Sequence, residues 1–122
     1  MNDAPCRLVV LHHTGIDWPH YDLMYERRPG GPLVTWRFPQ WPPTQVVRVE
    51  PLGDHRRDYL DYEGPVSGNR GQVRRILSGL CRPESVRADR LVLSLDVPGL
   101  PVQRLVIEAS PQGMWTARPD SS

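Results

Sequence analysis

The sequence contains no lysine, and all fifteen of its basic residues are arginine. Any phosphate gripped by this chain is therefore gripped by guanidinium forks, which engage anions bidentately, and not by ammonium point charges. Genome base composition explains such a bias equally well. No apolar run approaches the roughly 18 residues needed to span a bilayer, and no charged-then-apolar leader with a cleavage site is recognisable. The expectation is a soluble, cytoplasmic chain with no membrane partner. Cysteine is scarce as well. Cys6 and Cys81 fit no metal-binding spacing and are expected as small apolar residues, with a disulfide left open. A formal net charge of +1 gives no global basic field.

What the chain has instead is turn residues. Fourteen prolines and ten glycines in 122 residues argue against long helices and for short strands joined by turns. Apolar, β-branched or alternating stretches predict strands over 7–13, 20–26, 33–38, 45–50, 72–77, 90–96, 102–109 and 114–118. The stretch GDHRRDYLDYEG over 53–64 has no period of two and is expected to hold one short helical turn. GPVSGNRG over 64–71 is a glycine-rich loop. About eight short strands at regular spacing predict an all-β fold, a compact antiparallel β-barrel. Residues 1–118 form one domain on this view, and 119–122 a frayed tail. No internal repeat and no long linker is present. Trp36 and Trp115 fall in strand patterns and are expected in the core. Trp18 and Trp41 stand beside prolines, where they cap the core or stack on bases.

Three of the four histidines stand in HHTGIDWPHYD, residues 12–22. In a strand, residues i and i+2 share a face, so His20 and Asp22 stand side by side. An imidazole beside a carboxylate is two ligands of a divalent metal site, and either His12 or His13 at the end of the preceding strand supplies a third. The same residues also describe a surface histidine that hydrogen-bonds its neighbour. In a turn over 54–59, His55 and Tyr59 would share a face, able to hold a phosphate oxygen or protonate a leaving group, or else to plug the fold's mouth. Arg56 and Arg57 are expected in solvent. Arg70 and Arg74 follow the glycine loop, where phosphate contact competes with a plain hairpin. His20-x-Asp22 with His55 also spells the facial triad of an iron oxygenase, although the chain is short for that class.

Taken in order, HYDLMYE, then GPLVTWRFP, then DHRRDYLDYEGPVSGNRG, resembles the 3′-phosphoesterase domain of bacterial DNA ligase D and its small stand-alone relatives. The likeness covers about residues 7–80. It implies a β-barrel enzyme that uses manganese, or zinc or another transition metal, to process 3′ ends of DNA or RNA in repair. Such an enzyme removes a terminal ribonucleoside and then the 3′-phosphate. Carried over, the ligands are His13, His20 and Asp22, and the catalytic residues are His55 and Tyr59. Arg48, Arg70, Arg74 and Thr35 are candidate phosphate contacts. Implied partners are nucleic-acid 3′ ends and a ligase or polymerase repair complex, met by a monomer. The chain departs from the family at two cations. Met24 stands where the family has an arginine, and Gln40 where it has a lysine; Arg37, Arg70 or Arg74 could compensate. That departure motivates an alternative, a catalytically weakened module that binds nucleic-acid ends or a repair partner on the same barrel.

Overall fold

The computed structural model describes residues 4–100 and 103–120. Ten strands form one antiparallel sheet: β1 (Cys6–Thr14), β2 (His20–Glu26), β3 (Leu33–Phe38), β4 (Val47–Arg48), β5 (Glu50–His55), β6 (Gly64–Pro65), β7 (Gln72–Arg87), β8 (Arg90–Asp96), β9 (Arg104–Ala109) and β10 (Trp115–Pro119). The order is β4-β10-β9-β8-β7-β1-β2-β3-β5, with β6 paired to β7 off this path. A single 3-10 turn spans Arg57–Leu60. The all-β expectation holds. The sheet has ten strands rather than about eight and is not closed: among the described residues no ladder joins the two end strands.

The reason lies at Val49. The segment expected as one strand over 45–50 divides there, because Val49 turns into the core and gives its N–H to the Trp115 carbonyl (3.1 Å). The residue before it belongs to one end strand and the residue after it to the other. Three more elements differ from expectation. β5 runs on to His55, so the helical turn begins later, at Arg57. β7 continues ten residues beyond Leu77; its burial alternates almost to its end, but Gly79, Pro83 and Ser85 stand on the inner row and Leu80 and Val86 on the outer, so the residue types do not reveal it. Finally, Pro119 is not frayed but pairs with Leu105, and Asp120 gives its N–H to the Arg104 carbonyl (2.9 Å). Residue 102 of the strand expected over 102–109 and residues 121 and 122 of the expected tail lie outside the described residues.

Alternation gives the sheet two apolar faces. Leu8, Val10, Leu23, Tyr25, Trp36, Phe38, Leu93, Leu105 and Ile107 meet on the larger one. The Trp36 and Trp115 rings pack edge to face there (5.0 Å). Trp41 covers Phe38 (5.3 Å), whereas Trp18 caps nothing and is 84% exposed. On the opposite face, Val9, Leu11, Met24, Leu33 and Val73 gather beneath Leu60 of the 3-10 turn, with Tyr59 and Val66 alongside. Cys6 and Cys81 face each other across β1 and β7, both buried and free.

β2 lies between these two faces, so its polar residues are buried too: His20, Asp22 and Glu26 are each 4–6% exposed. A buried carboxylate needs partners. Glu26 has three: the Arg7 N–H (2.6 Å), the Gly30 N–H (2.8 Å) and the Arg57 guanidinium (2.6 Å). Arg57 is thus not solvated as expected but ties the 3-10 turn to β2. Burial pushes the Glu26 carboxyl up, but these donors outweigh it and hold its pKa below the ordinary value. Glu26 therefore stabilises the fold above the ordinary carboxylate range, and that contribution is lost as pH falls through its lowered pKa. Glu26→Gln should cost about 2–4 kcal/mol in urea unfolding at neutral pH. The difference from wild type should shrink as the pH is lowered.

Candidate metal centre

The connection from β1 to β2 is the five residues 15–19, and its length fixes which histidine meets which. His13 stands opposite His20, and Leu11 stands opposite Asp22. Opposed residues share a face, so His13, His20 and Asp22 converge on the side of Met24. His12 is paired with Tyr21 on the other side, its ring stacked on the phenol (4.3 Å, 9° between planes). The third position left open between His12 and His13 is therefore filled by His13. The connection begins at Gly15, which takes a left-handed conformation (φ 75°).

Both imidazoles are oriented by backbone carbonyls. His13 Nε2 lies 2.7 Å from the Arg70 carbonyl, and His20 Nδ1 lies 3.0 Å from the Trp18 carbonyl. A carbonyl can only accept, so each of these nitrogens carries the proton, and the other nitrogen of each neutral ring presents a lone pair. Those lone pairs face the carboxylate: His13 Nδ1 is 3.9 Å from Asp22 Oδ2, and His20 Nε2 is 3.4 Å from Asp22 Oδ1. One ligand atom from each residue fits within 4.8 Å of the others. His20 Nε2 and Asp22 Oδ1 are buried with no hydrogen-bond partner. Two acceptors aimed at one point from a dry strand are what a cation would satisfy, and carbonyl-tethered imidazoles are the usual outer support of a bound metal. The group could hold a metal ion. Burial disfavours the charged form of His20, but Asp22 and the Trp18 carbonyl outweigh it, so its pKa lies above the ordinary value in the metal-free protein.

The Arg70 carbonyl is delivered by the glycine loop. Gly71 adopts φ 77°, and a Cβ there would overlap the Thr14 carbonyl. Only glycine lets the loop lie flat against the end of β1. Arg70 thus serves the centre through its backbone, while its guanidinium turns back to Ser67 (2.6 and 3.1 Å).

No family model matches the chain, and no curated protein matches it in sequence.

The other candidate residues are dispersed. His55 stands opposite Leu33, in the row of Glu26 and not of Asp22. Its Nδ1 donates to the Gly53 carbonyl (2.8 Å), and its ring meets Tyr59 edge-on (5.8 Å). The pair thus comes together without sharing a helix face. Beside it, Arg27 grips Asp54 with two hydrogen bonds (3.0 and 2.8 Å) and holds that carboxyl below its usual range. Buried Met24 and Thr35, opposite each other, form the row between Asp22 and Leu33. Thr35 is closed off from any phosphate, its hydroxyl donating to the Leu33 carbonyl (3.2 Å). Arg74 stands opposite His12, on the wrong face for the triad. Arg48 is exposed in β4, opposite Thr116.

Of the three arginines that could make up for the missing cations, Arg37 is the one the fold places beside the triad. It stands directly opposite Asp22 on β3, with Glu50 next in the same row. The signal was in the sequence: folding the chain about the turn at 28–31 aligns Asp22 with Arg37, and the flanking core residues Trp36 and Phe38 turn Arg37 to the triad's face.

His13→Ala or His20→Ala should weaken manganese binding at least about 100-fold in calorimetric titration, more than the loss of a supporting hydrogen bond costs. His12→Ala should leave it within a few-fold. Gly71→Ala, which touches no ligand, should weaken it about 10–100-fold by displacing the Arg70 carbonyl from His13.

Proposed function

We propose that this chain is a metal-dependent phosphoesterase that processes 3′ ends of DNA or RNA in repair, removing a terminal ribonucleoside and then the 3′-phosphate. The observation that carries this reading is the His13–His20–Asp22 group, whose inward acceptors are buried, pre-oriented and unpartnered. The likeness of HYDLMYE, GPLVTWRFP and DHRRDYLDYEG to the phosphoesterase domain of bacterial DNA ligase D supplies the substrate class. On this reading the curled sheet is that family's barrel, opened at the seam between β4 and β5. The metal is manganese, with zinc or another transition metal as alternatives, and when bound it polarises a phosphoryl oxygen. His55, its Nδ1 proton committed to the Gly53 carbonyl, keeps Nε2 available to carry a proton to the leaving oxygen, and Tyr59 steadies the ring. The chain works as a cytoplasmic monomer on nucleic-acid 3′ ends, alongside a ligase or polymerase.

One observation favours a second reading. The row between the triad and His55 is floored by Met24, buried and uncharged, where the family has an arginine. A chain with this floor could bind ends or a repair partner with its catalysis weakened.

Purified protein with manganese and a labelled primer–template, the primer ending in one ribonucleotide or a 3′-phosphate, separates the two readings. The phosphoesterase predicts shortening or dephosphorylation, abolished by chelation and by Asp22→Ala. Primer bound but unchanged by the wild type would support the binding module instead.

A further inference from the structure

We infer that Arg37 is the cation that holds the anionic group of a ligand at the His13–His20–Asp22 centre, taking over on β3 the charge that Met24 does not provide on β2. This rests on the metal reading above. Arg37 is opposite Asp22 in the β2–β3 ladder and shares its face of the sheet. Its Nε is buried with no hydrogen-bond partner, and it forms no ion pair among the described residues. A guanidinium nitrogen withdrawn from water with nothing to donate to is costly unless a ligand supplies the acceptor.

The neighbouring arginines are committed elsewhere. Arg57 is paired with Glu26, Arg27 with Asp54 and Arg7 with Asp61. The Arg75 side chain reaches the Leu60 carbonyl (3.2 Å), and the Arg70 side chain reaches Ser67. Arg74 faces away, and Arg48 lies beyond Glu50.

Charge sets the class of ligand. A divalent ion held by one carboxylate and two neutral imidazoles keeps a net charge of one, and Arg37 adds a second beside it, because Glu50 across the ladder is exposed to solvent and forms no ion pair with Arg37. Two adjacent positive charges in a half-buried site favour a dianion over a monoanion. The terminal phosphate of a monoester carries that charge, with oxygens spaced for one metal bond and one guanidinium hydrogen bond.

The test uses manganese and inorganic phosphate with wild type, Arg37→Met and Arg37→Lys. Each protein is first titrated with manganese, which also reports whether the triad is folded, and then with phosphate. The expected result is manganese binding within a few-fold in all three. Phosphate binding should be weaker by about 10-fold or more in Arg37→Met and intermediate in Arg37→Lys. Equal phosphate affinity in wild type and both manganese-loaded variants would overturn the role of Arg37 and leave the metal centre standing. A wild type that takes up no divalent ion would overturn both.

Discussion

The structure turns on a strand buried from both sides. β2 has the larger core against Tyr21, Leu23 and Tyr25, and the smaller one against Met24. Its remaining three side chains are ionisable, and water is not there to solvate them. Each has to be answered by the protein or by something the protein binds. Glu26 is answered completely by two backbone N–H groups and the Arg57 guanidinium. His20 and Asp22, on the same strand and the same face, present acceptors to each other. The contrast within seven residues is what separates a structural carboxylate from one that could hold a cation. Had the strand merely tolerated polar groups, both ends would look alike.

Around that strand, the elements that orient the centre are mostly backbone. The Trp18 and Arg70 carbonyls set the two tautomers, and they come from the hairpin connection and the glycine loop. The loop in turn depends on Gly71 lying against Thr14. Side chains that sequence alone marks for phosphate contact are occupied in this framework: Arg70 braces its own loop, Thr35 bonds Leu33. Arg57, expected in solvent, closes the lower core by anchoring the 3-10 turn to Glu26.

Much of this was legible from residue order. The strand that carries His13 reads as an apolar, β-branched run and the next one alternates, so the His20–Asp22 pair follows from strand geometry alone. The residues could not decide between His12 and His13, because facing is a property of register, and register depended on how five connecting residues fold. The second half of β7 was invisible because its residue types do not follow its burial: Gly79, Pro83 and Ser85 occupy inner positions, while Leu80 and Val86 face out. Arg37 was legible only as one of three arginines able to replace the missing cations. It sits in an obvious strand, but its meaning appears only when that strand is aligned with the carboxylate across from it.

The junction at Val49 has a mechanical consequence. Hydrogen-bonded rims of a sheet are ordinarily where a neighbouring molecule adds on, or where the sheet begins to peel. Here the chain leaves one rim at Arg48 and joins the other at Glu50. Val49 is sunk in the core between them and bonded to Trp115. The rims are fastened by peptide bonds, like a band closed with a single stitch. Spreading them apart must first pull that stitch out of its apolar seat, so the curl of the sheet, and with it the alignment of β1, β2 and β3, is held by covalent continuity where a ladder is missing.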